Sequence, residues 1–287
     1  MSSAKRKHVV LDHPILGFFI LDIFASLMQS FGNVLDAIIV YVLPGYGTKV
    51  TFAGIETTSA SGVGTAVGAV GAAIIFWLWF RPDFDGCFKK KGLLKGLLMM
   101  AAFLVVHWSG SVVSWLSLGT GSVLIAFLRA FAPGFGEEIA YRALGVANYM
   151  RTIKSEKGIT VIFWLSSAVF GLVHAANILA GANVFSTVIQ VVYATGVGML
   201  FCAVYLRTGN IWPCVIAHLS VDFMEFVRAD LSGSGGVMAG LGIGDWITVA
   251  AGAGAAVMAL IFMRKQYYPE IMDIWAKKWS KSLQDTL

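Results

Sequence analysis

Glu137, Glu138 and Arg142 lie in the run Pro133-Gly134-Phe135-Gly136-Glu137-Glu138-Ile139-Ala140-Tyr141-Arg142. His174 lies in Phe170-Gly171-Leu172-Val173-His174-Ala175-Ala176-Asn177, and His218 and Asp222 follow Gly209-Asn210-Ile211-Trp212-Pro213 on a third run. All three runs are otherwise apolar. An ionisable group at bilayer depth costs about 2.5 to 3.5 kcal/mol on insertion scales, so such groups point to function. Residues four apart share a helix face. Glu138 can therefore pair with Arg142, and His218 shares a face with Asp222, as His174 does with Asn177. Glu137 is turned by about 100° from Glu138 and must look elsewhere. One glutamate is neutralised locally and one is left over. A leftover carboxylate with two imidazoles from separate helices suits water activation: a base takes the proton and donors meet the oxyanion that develops. Ion pairing that only holds a bundle together accounts for Glu138 and Arg142 by spacing alone. It does not account for Glu137, His174 and His218, because a bundle needs no buried imidazole to pack. Pro133 and Gly136 are expected to break the helix just before Glu137, which is tolerated at membrane depth where the break lines a polar cavity.

The elements that must carry these residues follow from composition. Of 287 residues 57% are hydrophobic and only 13% charged, where a soluble domain carries about 25% charged residues. This excludes a cytosolic enzyme, a disordered chain, a nucleic-acid module and a disulfide scaffold. Cys87, Cys202 and Cys214 read as small buried hydrophobes. A span needs about 20 mainly apolar residues, and eight segments qualify: roughly 15–43, 60–80, 93–117, 122–150, 159–179, 184–206, 211–227 and 241–263. Turn signals such as Pro44-Gly45, Gly119-Thr120-Gly121 and Thr208-Gly209-Asn210 separate them. With the N-terminus inside, 17 of the 21 Lys and Arg fall on the cytoplasmic side, whereas only Lys49 and Arg228 fall outside. Both termini are therefore expected to be cytoplasmic. The first segment, with Asp22 and Asp36 and no small-residue cleavage site, reads as an uncleaved helix rather than a signal peptide. Small residues in the second and eighth segments suit close helix packing. The tail from Lys265, with Trp275 and Trp279, reads as an amphipathic segment on the inner leaflet. Asp22, Asp36 and His107 read as helix-to-helix bonds or boundary residues, and His8 and His13 as solvated.

The three runs resemble the CPBP family of intramembrane proteases, which includes Rce1-like enzymes that trim prenylated CAAX proteins and relatives linked to bacteriocin processing or self-immunity. The family pattern is E-E-x-x-x-R, F-x-x-x-H and H-x-x-x-N or D on successive helices. Here it stands as Glu137-Glu138 to Arg142, Phe170 to His174 and His218 to Asp222. The resemblance covers about residues 122–227. It implies that Glu137 and His174 activate the attacking water while His218 and Asp222 stabilise the oxyanion, with Glu138 and Arg142 as a supporting ion pair. Asp222 stands where many relatives carry Asn. An aspartate donates a hydrogen bond only when protonated, and it can instead orient His218.

The expectation is thus an all-α, polytopic membrane bundle of about eight helices forming one integral-membrane domain, 1–287, with catalytic core helices at 122–227. Its activity would be intramembrane cleavage of a membrane-anchored or prenylated protein or peptide, with the lipid bilayer as its surroundings, no nucleic-acid partner, no cofactor and no metal. A zinc peptidase is the nearest rival, since carboxylates and two histidines can make an open metal site, but H-E-x-x-H is absent. An aspartyl protease is suggested by Gly242-Ile243-Gly244-Asp245, yet Asp245 opens the eighth helix, where Asp is a good N-cap. No Ser has Gly two positions before it, which excludes a G-x-S nucleophile. The non-enzyme alternative is a transporter or membrane scaffold that uses the buried charges for ion passage or partner binding.

Overall fold

A computed structural model describes residues 9–43, 45–52, 55–80, 90–109, 120–153, 155–179, 181–232 and 243–279. A short α1 (Val9–Asp12) leads into α2 (Pro14–Val42), and α3 (Val63–Phe80) and α4 (Leu93–Ser109) follow. Next come α5 (Thr120–Arg129), two π-helical stretches at Ala132–Glu137 and Ile139–Val146, and α6 (Ala147–Thr152). Then follow α7 (Glu156–Leu172) with a 3-10 extension Val173–Ile178, α8 (Val184–Thr208), α9 (Trp212–Ser232), α10 (Ile243–Phe262) and α11 (Tyr268–Lys278). The core is helical, as expected. Outside it lies one antiparallel hairpin, β1 (Thr48–Phe52) on β2 (Ile55–Ser59), which the sequence reading did not anticipate.

α8 is the hub, packing on α7, α10, α4, α9 and α11. Every residue from Gly196 to Thr208 is buried, so this half of the helix is surrounded by protein on all sides. Small residues let its neighbours close in. A Cβ on Gly196 would come 2.1 Å from the Gly252 carbonyl oxygen of α10, and one on Gly64 of α3 would come 2.1 Å from that of Gly32 in α2. The helix ends are set locally: Asn183 accepts from Phe185 and Ser186 N–H at the start of α8, and Gly209, at φ +57°, ends it in a left-handed turn. Asp36 of α2 caps α3 from outside its own helix, accepting from the N–H groups of Gly62, Gly64 and Thr65 and from Tyr46 Oη. His107 pairs with Tyr193 Oη at 2.7 Å. Both are the helix-to-helix bonds expected of lone polar groups.

The described parts of the apolar segments are largely helical, and among the described residues three helices are long and apolar enough to cross a membrane by length and composition: Pro14–Val42, Glu156–Ile178 and Val184–Thr208. A fourth counts if Trp246–Phe262 and Lys265–Lys278, bent by 56°, are one span. Val63–Trp79 and Leu93–Ser109 are apolar and shorter.

Two local expectations are corrected. The fourth segment does not break at Pro133 and Gly136; it widens into i→i+5 turns, which absorb the missing Pro133 N–H within a continuous coil. The C-terminal segment does not simply lie on a leaflet. Trp275 and Trp279 are 2% and 1% exposed, donating through Nε1 to the carbonyls of Leu206 and Ala147. The apolar face of α11 is thus spent on the bundle itself. Cys87 lies outside the described residues, as do the Lys281 end of the tail and the loop at 233–242; Cys202 and Cys214 are free and buried, as expected.

Candidate active site

The π-helical stretches place Glu137 and Glu138 at their junction. Such widened turns recur at functional sites because they re-aim side chains. α2 runs antiparallel alongside: Gln29 Nε2 donates to the Gly136 carbonyl at 3.2 Å, and Phe18 fills the space beside Gly145. Gly134 admits Leu219 of α9, since a Cβ there would lie 2.7 Å from that of Leu219. These contacts fix the glutamates between α2 and α9.

Glu138 and Arg142 are fully buried, and Arg142 Nη1 donates to Glu138 Oε1 at 3.0 Å, the intrahelical pair that their spacing indicates. Arg142 Nη2 reaches the Gly198 carbonyl at 3.2 Å, and its guanidinium carbon lies 4.2 Å from the Phe170 ring centroid. The Phe of the second motif is therefore a cation–π platform. It also stands between the imidazoles, its ring 5.6 Å from His174 and 5.8 Å from His218.

His218 Nδ1 donates to the same Glu138 Oε1 at 2.8 Å. A carboxylate held by Arg142 only accepts, so Nδ1 carries a proton and Nε2 is left to face Asp222 Oδ2 at 3.7 Å. Sequence reasoning opposed Glu137 to His218 and committed Glu138 to Arg142 alone. In the structure Glu138 is bonded to both. Glu137 keeps a buried Oε2 that has no hydrogen-bond partner among the described residues, and it lies within electrostatic range of His218, Asp222 and Asp22. His174 Nδ1 meets its own helix at the Phe170 carbonyl, 2.9 Å away, which turns Nε2 outward. No hydrogen bond joins His174 to Glu137.

Asp22, read as a helix-to-helix bond or boundary residue, has a buried Oδ1 with no hydrogen-bond partner among the described residues, on the α2 face that meets the π-helical stretches. One residue escaped the sequence reading. Gln190 of α8 accepts from Asn177 Nδ2 at 2.8 Å. The only sequence signal for it was a polar atom in an apolar run. A cavity of about 390 Å³ opens between α3 and the π-helical stretches, lined by Ile74, Trp77, Phe135, Ile139, Leu144 and Trp212 among others and by neither glutamate nor imidazole of the site. Among the described residues no three His, Cys, Asp or Glu side chains converge as a metal site. Asp245 falls in the first turn of α10, a different element from those that hold the glutamates.

Inside an apolar bundle, buried Glu138, Arg142 and His218 with half-buried Glu137 and His174 supply the groups a membrane-embedded hydrolase needs. Residues 119–224 match the family model of the Rce1-like type II CAAX prenyl endopeptidases. The match spans all three motifs and supports the CPBP relationship that they suggest. The family indicates a protease embedded in the membrane and acting on membrane-associated substrates. No curated protein and no solved structure matches the chain.

Proposed function

We propose that the protein is an intramembrane endopeptidase in which Glu137 is the general base. The observation that carries this is the division between adjacent glutamates: Glu138 Oε1 is engaged by both Arg142 and His218, which leaves only its Oε2 without a partner, whereas neither of them engages Glu137, whose buried Oε2 has no hydrogen-bond partner among the described residues. In the reaction Glu137 takes a proton from water, assisted by His174. The hydroxide adds to the scissile carbonyl carbon, and the oxyanion is met by Nε2–H of His218, which with its Nδ1–H held by Glu138 acts as an imidazolium steadied by Asp222. Collapse of the intermediate breaks the C–N bond, and the leaving amine takes the proton held by Glu137. Glu138 and Arg142 bind no substrate in this scheme; they hold the His218 ring in place through its Nδ1–H.

The apolar cavity against Phe135 and Ile139 supports a substrate with a lipid or prenyl anchor, because it offers dry surface on the same π-helical stretches that carry the glutamates. The charge asymmetry of the loops supports eight spans with both termini in the cytoplasm. The test is a comparison of membrane proteomes from cells carrying the native protein and the Glu137→Gln variant. A peptide cut by the first and left whole by the second supports the assignment; identical peptide patterns reject it.

A further inference from the structure

Cutting a peptide bond inside a membrane first requires the substrate to leave its helix. Each peptide group that unwinds in hydrocarbon loses a partner worth several kcal/mol. A protease at this depth has to supply replacements.

Asn177 and Gln190 are placed and equipped for this. His174 and Asn177 sit three apart on the 3-10 turn Val173–Ile178, where residues i and i+3 eclipse, so both project in one direction from α7. Asn177 lies about 6 Å further along that axis at a rise of about 2.0 Å per residue, two residues of extended chain at about 3.3 Å each. Its Nδ2 donates to Gln190 Oε1 across the gap to α8 at 2.8 Å. Both side chains are half-buried, and neither has another hydrogen-bond partner among the described residues. One bond between two primary amides uses one carbonyl and one N–H. A carbonyl on one residue and an NH₂ on the other remain unused, and exchanging the amide orientations leaves the same inventory. A peptide group offers the complement, one N–H and one C=O. A pair needed only as a staple between α7 and α8 would not have to stand on the same edge as His174.

We infer that the Asn177–Gln190 amide pair is a backbone-binding subsite, holding the unwound substrate's peptide group two residues from the bond attacked beside His174. The inference rests on the endopeptidase reading above.

The experiment uses the full-length protein in detergent with a farnesylated CAAX-type reporter peptide and two analogues, N-methylated two residues to either side of the cleaved bond. One analogue should raise KM about tenfold, the loss of one hydrogen bond of about 1.4 kcal/mol, with kcat nearly unchanged. Asn177→Ala or Gln190→Ala should raise KM for the parent peptide by a similar factor and abolish that analogue's penalty. An N-methyl penalty that persists in both variants overturns the subsite, as does the absence of any penalty in the native protein. Variants that lower thermal stability while leaving KM unchanged show a staple and also overturn it. If the native protein cuts the parent peptide no better than Glu137→Gln does, the endopeptidase reading falls and the subsite with it. The parent-peptide result therefore tells the two failures apart.

Discussion

His218 Nδ1 donates to Glu138 Oε1 at 2.8 Å across 80 residues of chain, and that oxygen also accepts from Arg142 Nη1 at 3.0 Å. One carboxylate oxygen thus joins the first and third motifs, with Phe170 of the second stacked on the arginine that completes the group.

The adjacent glutamates should fail differently when neutralised. Glu137→Gln should leave a folded, correctly inserted protein with turnover lower by at least about a hundredfold, the scale of a lost general base. Glu138→Gln should lower thermal stability in detergent, because Arg142 is left buried without its counter-ion, and should also lower turnover, because His218 exchanges a charged acceptor for a neutral amide. Adding Arg142→Gln to Glu138→Gln should restore stability in part and turnover not at all. Full turnover in Glu137→Gln, with loss in an intact Glu138→Gln, would reverse the roles.

Turnover should persist in excess EDTA and phenanthroline. A glutamate assisted by a histidine suffices to activate water. Loss of activity under chelation, restored by added zinc, would give the chemistry to a metal.

Glu270, beyond the last apolar helix, reports on the docking of α11. Burial alone would raise its pKa; the hydrogen bond from Lys95 and the charge of Arg207, whose Nη2 is 2.9 Å away, outweigh it and hold the carboxyl below the ordinary 4.5. A depressed pKa contributes stability that is present above the unfolded value and lost as pH falls through the folded one. Glu270 is 43% exposed, so solvent screens the pair and the effect should be about 2 °C in Tm. Melting in detergent should show the native protein losing this increment below pH 4.5, whereas Glu270→Gln lacks it already at neutral pH. Equal losses in both would remove Glu270 from the docking.

Cysteine labelling tests the orientation. In a background without native cysteines, an impermeant reagent added outside should reach thiols placed near 119, 182 and 233 and miss those near 90, 154 and 208. Outside labelling at 154 would overturn the eight-span arrangement.

The sequence showed the Glu138–Arg142 pair because an i, i+4 relation is local and survives the widened turns. The His218–Glu138 bond was not legible. Which glutamate faces α9 depends on the helical register, and a projection at 3.6 residues per turn does not hold across i→i+5 turns. Trp275 and Trp279 read as a membrane-surface face because amphipathic spacing is the same whether the apolar side meets lipid or a neighbouring helix. The choice was made by the carbonyls of Leu206 and Ala147, which the sequence does not locate. The hairpin at 48–59 went unread because Thr-rich polar strands between apolar helices resemble a loop.

The closeness of Glu138 and Arg142 also bears on how the chain is made. The two residues leave the ribosome within four residues of each other and on one helix, so the segment can present itself to the insertion machinery as a neutralised pair rather than as two separate charges. His218 follows 80 residues later. Until then Glu138 already has its counter-ion while Glu137 has none, so the carboxylate proposed for chemistry is also the one that raises the cost of entering the bilayer. α2, already synthesised, offers Gln29 to the Gly136 carbonyl beside it, which satisfies a backbone group and leaves the carboxylate itself unpaired among the described residues.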